Sequence, residues 1–141
     1  MSTIYEKALK LLKIRPHHSE ELARKLKLRG FERAQIVEVI KKLQEENLID
    51  NEQFAQMYLD ELIRNKSFGF YMLKAKLMQR GIAGAEAESL LREKLSIEDE
   101  KQIALKVVEK EERIGKGVDK IKLSQKLSRK GFRNDVIRSV I

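Results

Sequence analysis

The chain has 141 residues and no cysteine, long enough for one ordinary domain or a short array of small ones, with disulfides, zinc-thiolate sites and thiol nucleophiles excluded. Lys and Arg outnumber Asp and Glu by 30 to 22, a net charge of +8, which points to an acidic partner surface. No run reaches the ~18 apolar residues of a membrane span and the first residues lack the apolar core of a signal peptide, so a cytoplasmic, reducing home is expected, with no membrane partner.

Between one proline and seven glycines the apolar residues recur every three or four, the helical period, and nothing alternates as a strand would. Thr3 with Glu6 predicts a capping box opening a helix over Ala8, Leu9, Leu11 and Leu12, which must end before Pro16. Arg15–His18, with adjacent His17 and His18, reads as a solvated loop. Ser19 then predicts the cap of a second helix with buried Leu22, Ala23 and Leu26, stopped at Gly30. A third follows over Ile36, Val39, Ile40 and Leu43. Asp50 and Asp99 are the expected caps of two further first helices, with stripes Phe54, Ala55, Tyr58, Leu62 and Ile103, Ala104, Val107, Val108.

Leu22, Leu26, Gly30 and Phe31 recur as Leu73, Leu77, Gly81 and Ile82, then as Leu123, Leu127, Gly131 and Phe132, with glycines 51 and 50 residues apart. The downstream helix recurs too: Ile36, Val39 and Ile40 answer to Ala87, Leu90 and Leu91 and to Ile137, Val140 and Ile141. The expectation is an all-α fold of three tandem three-helix repeats, 1–49, 50–98 and 99–141, forming an elongated, curved array. Gly30, Gly81 and Gly131 are its turn residues, since a helix stop needs the left-handed backbone that glycine adopts without a Cβ clash.

No pair of residues suggests acid–base or nucleophilic catalysis, and no cofactor is expected. The two histidines lack the i, i+4 spacing of a helical metal pair, and Gly115-Lys116-Gly117 lacks the rest of a phosphate loop. Charge gathers instead beside the glycine turns: Arg24, Lys25, Lys27, Arg29 and Arg33, then Lys74, Lys76 and Arg80, then Lys126, Arg129, Lys130 and Arg133. These are the candidate contacts to an acidic protein or to phosphate; the competing reading is that Arg29, Arg80 and Lys130 only offset their own helix's C-terminal dipole. Residues 1–50 carry 11 bases and 8 acids, 51–98 carry 7 and 7, and 99–141 carry 12 and 7, so the ends are basic and the middle neutral. A helix–turn–helix reading is open, but base-reading side chains are sparse on the third helices, Gln35 excepted, which favours phosphate contact over base readout. Phe68, Phe70 and Tyr71, around Gly69, read either as a hinge packing inward or as a docking patch.

These residues resemble one family, the RecX regulatory proteins of bacteria, over essentially the whole chain. The likeness is carried by Ala8-Leu9 through Arg15, by Ser19-x-x-Leu22-x3-Leu26-x2-Arg29-Gly30-Phe31 with Ile36 and Ile40, and by the junction Leu48-Ile49-Asp50-Asn51-Glu52-Gln53-Phe54-Ala55. Arg80-Gly81-Ile82 and Arg129-Lys130-Gly131-Phe132 with Val136–Ile141 complete it. One departure is Phe70, where the family often has proline after glycine. The resemblance implies a non-enzymatic modulator, usually an inhibitor, of the RecA recombinase and co-protease in DNA repair, recombination and the SOS response, lying in the groove of the RecA filament on single-stranded DNA. Weak non-specific DNA phosphate contacts are a secondary expectation. A nucleic-acid-binding regulator independent of RecA and a helical scaffold for another protein are the alternatives.

Overall fold

The structure is a computed structural model that describes residues 3–65, 67–115, 117 and 119–141. The fold is all-α. Among the described residues it comprises α1 Ile4–Ile14, α2 Ser19–Leu28, α3 Arg33–Glu45, α4 Asn51–Asn65, α5 Phe70–Gln79, α6 Gly84–Lys94, α7 Ile97–Ile114, α8 Lys120–Arg129 and α9 Asn134–Val140, with no strand. Lys66, Lys116 of the Gly115-Lys116-Gly117 segment, and Val118 lie outside the described residues, as do Met1 and Ser2.

Two compact units emerge, one holding the chain up to Tyr58 together with Gln79–Ile82, the other Leu59–Met78 and Ala83–Ile141. In the first, α1, α2 and α3 enclose Ala8, Leu11, Leu22, Leu26, Ile36, Val39 and Leu43, joined by Ile49. In the second, Ala104, Val107 and Val108 of α7 pack with Leu123, Leu127, Phe132, Val136 and Ile137. Leu59, Leu62, Phe70, Leu73, Leu77, Ala87, Leu91 and Leu95 are also buried in that unit. The expected stripes hold at most positions. Ile141 is the exception at 40% exposure; Val136, at 0%, takes the core position in α9.

The caps differ from expectation in instructive ways. The Thr3 hydroxyl accepts from Glu6 N at 3.1 Å, and Asp50 accepts from Gln53 N at 3.0 Å, as capping residues do. Asp99 is not a cap: Ser96 is, and Asp99 returns the bond from the third helical position to close a capping box. Ser19 is not the cap of α2 either. His18 caps it, its Nδ1 accepting from Glu20 N at 3.1 Å, while Ser19 exchanges two hydrogen bonds with the Asn51 side chain. The solvated-loop reading of the histidines is thereby corrected: His17 and His18 are 3% and 6% exposed.

The spacing of the recurring motif has a backbone explanation. Phe31 N donates to Leu26 O and Gly30 N to Lys27 O; Phe132 N donates to Leu127 O and Gly131 N to Ser128 O. This is the Schellman closure, which needs a left-handed residue at the glycine and an apolar one after it, in register with the leucine whose carbonyl it caps. The glycines at 30, 81 and 131 have φ of +90°, +101° and +87°. Asn47, at φ +59°, closes α3 in the same way, with Leu48 N on Leu43 O.

Candidate partner-binding surface

The candidate bases lie near the C-terminal ends of α2, α5 and α8 or just beyond their turns, but the structure uses many of them internally. In the first unit Lys25 Nζ is 2.8 Å from His17 Nε2, and His17 Nδ1 is 2.8 Å from Arg15 O. Arg15 grips Glu21 through both guanidinium nitrogens at 2.9 and 2.7 Å. Burial pushes the Glu21 carboxyl up, but Arg15's hydrogen bonds and charge outweigh this and hold it below the ordinary range. Burial lowers His17, with the Lys25 and Arg15 charges adding to it, and burial lowers Lys25, with Arg15 beside it. A neutral imidazole accepting from Lys25 fits both shifts.

Arg24 is exposed and donates to Gln79 O at 3.2 Å, and the Arg80 guanidinium lies 4.8 Å from the Tyr58 ring centre. In the second unit Lys74 pairs with Glu88 at 3.2 Å, Lys76 lies 5.7 Å from the Phe68 ring centre, and Lys126 pairs with Glu111. Arg133 is committed most deeply. Its Nε meets Glu100 Oε1, and its backbone N–H meets Oε2 at 3.0 Å, where Phe70 N also donates at 3.2 Å. Glu100 is 0% exposed, and the guanidinium lies 4.4 Å from the Phe70 ring centre. Lys27, Arg29, Arg33 and Arg129 are exposed and Lys130 is half-buried, with no carboxylate partner among the described residues. Arg29 and Arg129 do reach back to carbonyls of their own helices, at Lys25 O and Gln125 O.

An open groove between the end of α7 and α8 is lined by Lys122, Lys126, Arg129 and Lys130 with Glu111 and Asp119. Its bases exceed its acids, which suits an anionic chain better than a small neutral ligand. Gln35, the one side chain read as a base reader, has its oxygen on Glu32 N at 3.2 Å, closing the α3 capping box. No cluster of potential metal ligands occurs among the described residues.

Phe70 is buried and Tyr71 is 59% exposed. The aromatic group around Gly69 therefore divides: Phe70 starts α5 from inside and Tyr71 faces solvent. Sequence reasoning missed Arg15, Glu21, His17 and Glu100. A signal existed for the first pair, since Glu21 lies in the first turn of a helix six residues after Arg15. Glu100 looks on paper like any acid in the acidic first turn of α7.

The three glycine turns sit in different surroundings. A Cβ at Gly81 would lie 2.8 Å from Glu21 N and 3.0 Å from Glu20 Cβ, and one at Gly131 would lie 2.2 Å from Met72 N. Gly69 N and Tyr71 N donate to Lys130 O and Gly131 O at 2.9 and 2.8 Å. At Gly30 a Cβ would meet nothing within 4 Å.

Residues 5–43 match the family model described as RecX, first three-helix domain. A regulatory protein RecX of Chlorobium phaeobacteroides is 31% identical over 97% of this chain and 90% of its own length. The chain belongs to the RecX regulatory protein family. A RecX of Oceanobacillus iheyensis is 31% identical over 97% of the chain, of which the chain spans 52%, about half. The crystal structure of RecX from Lactobacillus salivarius superposes with a TM-score of 0.84 at 25% identity, covering 97% of this chain and 91% of that one. These RecX relatives are named as regulatory proteins rather than enzymes, and no described helix here is long and apolar enough to cross a membrane.

Proposed function

We propose that this RecX chain binds RecA and its filament on single-stranded DNA and inhibits the recombinase and co-protease activities, as a cytoplasmic, non-enzymatic regulator of DNA repair and the SOS response. Family membership over nearly the full chain carries the reading. The exposed bases Lys27, Arg29 and Arg33 support it, because they face outward with no carboxylate to neutralise them among the described residues. Three three-helix repeats, 1–49, 50–98 and 99–141, are the units in which we propose the chain is built. Of the candidate contacts, the proposal rests on the exposed set and on Arg129 and Lys130 in the α7–α8 groove. Lys25, Lys74, Arg80, Lys126 and Arg133 have internal partners to give up before they reach an external one. Weak, sequence-independent DNA phosphate contacts belong to the same groove. The engagement of Gln35 in a cap weighs against a base-reading alternative.

The test is RecA's DNA-dependent ATPase and the length of its filaments on single-stranded DNA with increasing amounts of the purified chain. A fall in both is expected. If excess protein leaves both unchanged, the proposal is wrong.

A further inference from the structure

We infer that the Gly30 turn is a docking site for the first turn of a helix that the partner protein supplies, and that this helix begins with acidic residues. The inference rests on the reading above for the partner's identity, and on the three turns for its geometry.

All three motif turns place a glycine at φ near +90°, and the Gly30 and Gly131 turns are closed by the same backbone bonds. Two of them are seated against the first turn of a helix. Gly81 lies against Glu20 and Glu21 at the start of α2, and Gly131 against Tyr71 and Met72 at the start of α5. The Gly131 seat shows the chemistry such a joint can use, whereas the Gly81 turn meets α2 by packing, with Glu20 N held by His18. The first N–H groups of a helix have no partner within it, and neither do the last carbonyls of another, so the two ends satisfy each other and their dipoles align. Gly69 N on Lys130 O and Tyr71 N on Gly131 O are that exchange.

The Gly30 turn has the same form and no seat. No atom comes within 4 Å of the space a Cβ would take, Phe31 is half-buried where Ile82 and Phe132 are each 2% exposed, and Leu28 is 86% exposed. Its surroundings select the occupant. Lys27, Arg29 and Arg33 are exposed beside it, so an acidic first turn is favoured twice, by these bases and by its own helix dipole. The acidic start of α2 beneath the Gly81 turn is an example within this chain. A second copy is a poor occupant. The corresponding helix start left exposed here is that of α8, with Lys120, Ile121 and Lys122, and it would set bases against bases.

The test exploits the empty space. Asn tolerates a left-handed backbone better than other side-chain-bearing residues, and at Gly30 its Cβ meets nothing, so Gly30→Asn is expected to stay folded with a smaller loss of thermal stability than Gly30→Ala. A seated turn has no room for that atom. Binding of the labelled full chain to RecA–single-stranded DNA filaments, read by fluorescence anisotropy, is expected to weaken by about tenfold or more. Asn47→Gly is the control, at an exposed left-handed helix stop outside the three motif turns, and is expected to bind as wild type. The exposed pair Lys27→Glu with Arg33→Glu is expected to weaken binding without reference to the glycine. Wild-type binding that neither Gly30→Asn nor the charge reversal changes overturns the inference and leaves the RecA reading standing. Equal weakening by Asn47→Gly overturns it as well. If the chain self-associates and only Gly30→Asn abolishes this, the occupant is a second copy and the inference fails. No binding by the wild type removes both readings.

Discussion

The turns at Gly131 and Gly30 are built by identical backbone hydrogen bonds, but they belong to different parts of the energy of the molecule. The Gly131 turn is clamped. Its carbonyls accept from the start of α5, and the buried Glu100 carboxylate binds N–H groups on both sides of the joint, at Phe70 and Arg133. The Gly30 turn has no such clamp and touches nothing at its apex. The difference separates what a local motif determines from what its surroundings determine. The closure of the helix is local and is the same in both, whereas the use of the turn as a joint or as a display depends on what is placed against it.

The largest expected effect is at the clamp. Glu100→Ala leaves the Arg133 guanidinium, only 19% exposed, without its counter-charge, and is expected to cost about 3–5 kcal/mol in urea unfolding. No measurable loss would show that the clamp is ornamental. Gly131→Ala combines a left-handed penalty of about 1–2 kcal/mol with a Cβ driven 2.2 Å from a backbone nitrogen, an overpacking cost of about 1–3 kcal/mol more. Gly30→Ala carries only the first of these, about 1–2 kcal/mol. Equal losses for the two glycines would break the comparison, since only the steric part distinguishes them.

The smallest effect is a pH dependence confined to the first unit. The His17 pKa is lowered in the fold, so the neutral ring is the stabilising form. The stability it contributes is complete above the ordinary value of 6.5 and is lost as pH falls through the lowered folded value, where the proton would set a cation against Lys25. His17→Gln keeps a donor for Arg15 O and an acceptor for Lys25 without titrating. Thermal unfolding followed down through this window is expected to flatten in His17→Gln relative to wild type. Parallel curves would place the proton elsewhere.

Much of the fold was legible because its signals are local. The helical period, the lone proline, and the leucine-to-glycine register each express one backbone rule, and the rule holds wherever the residues stand. The errors came where a second segment competes for the same group. Ser19 would cap α2 in isolation, but the Asn51 side chain, from 32 residues later, claims it and leaves the cap to His18. The histidines read as solvent-facing for the same reason: what buries them is tertiary. The basic residues were legible as a set, but their division into paired and displayed members was not. Arg33 and Arg133 look alike in the sequence, and only Arg133 has Glu100 beneath it.

The closing bond of the motif runs from the N–H after the glycine to the carbonyl of the second leucine, so no exposed side chain takes part in it. Frame and display are therefore separable. A relative about a third identical can keep the turn and replace the exposed charges around it that have no carboxylate partner among the described residues, such as Lys27, Arg29 and Arg33, and selection for a different partner can act on those charges with little stability penalty to repair. Exchange of the exposed residues of one turn for those of another should be silent to the fold, which makes these turns suitable places for transplanting recognition between members of the family.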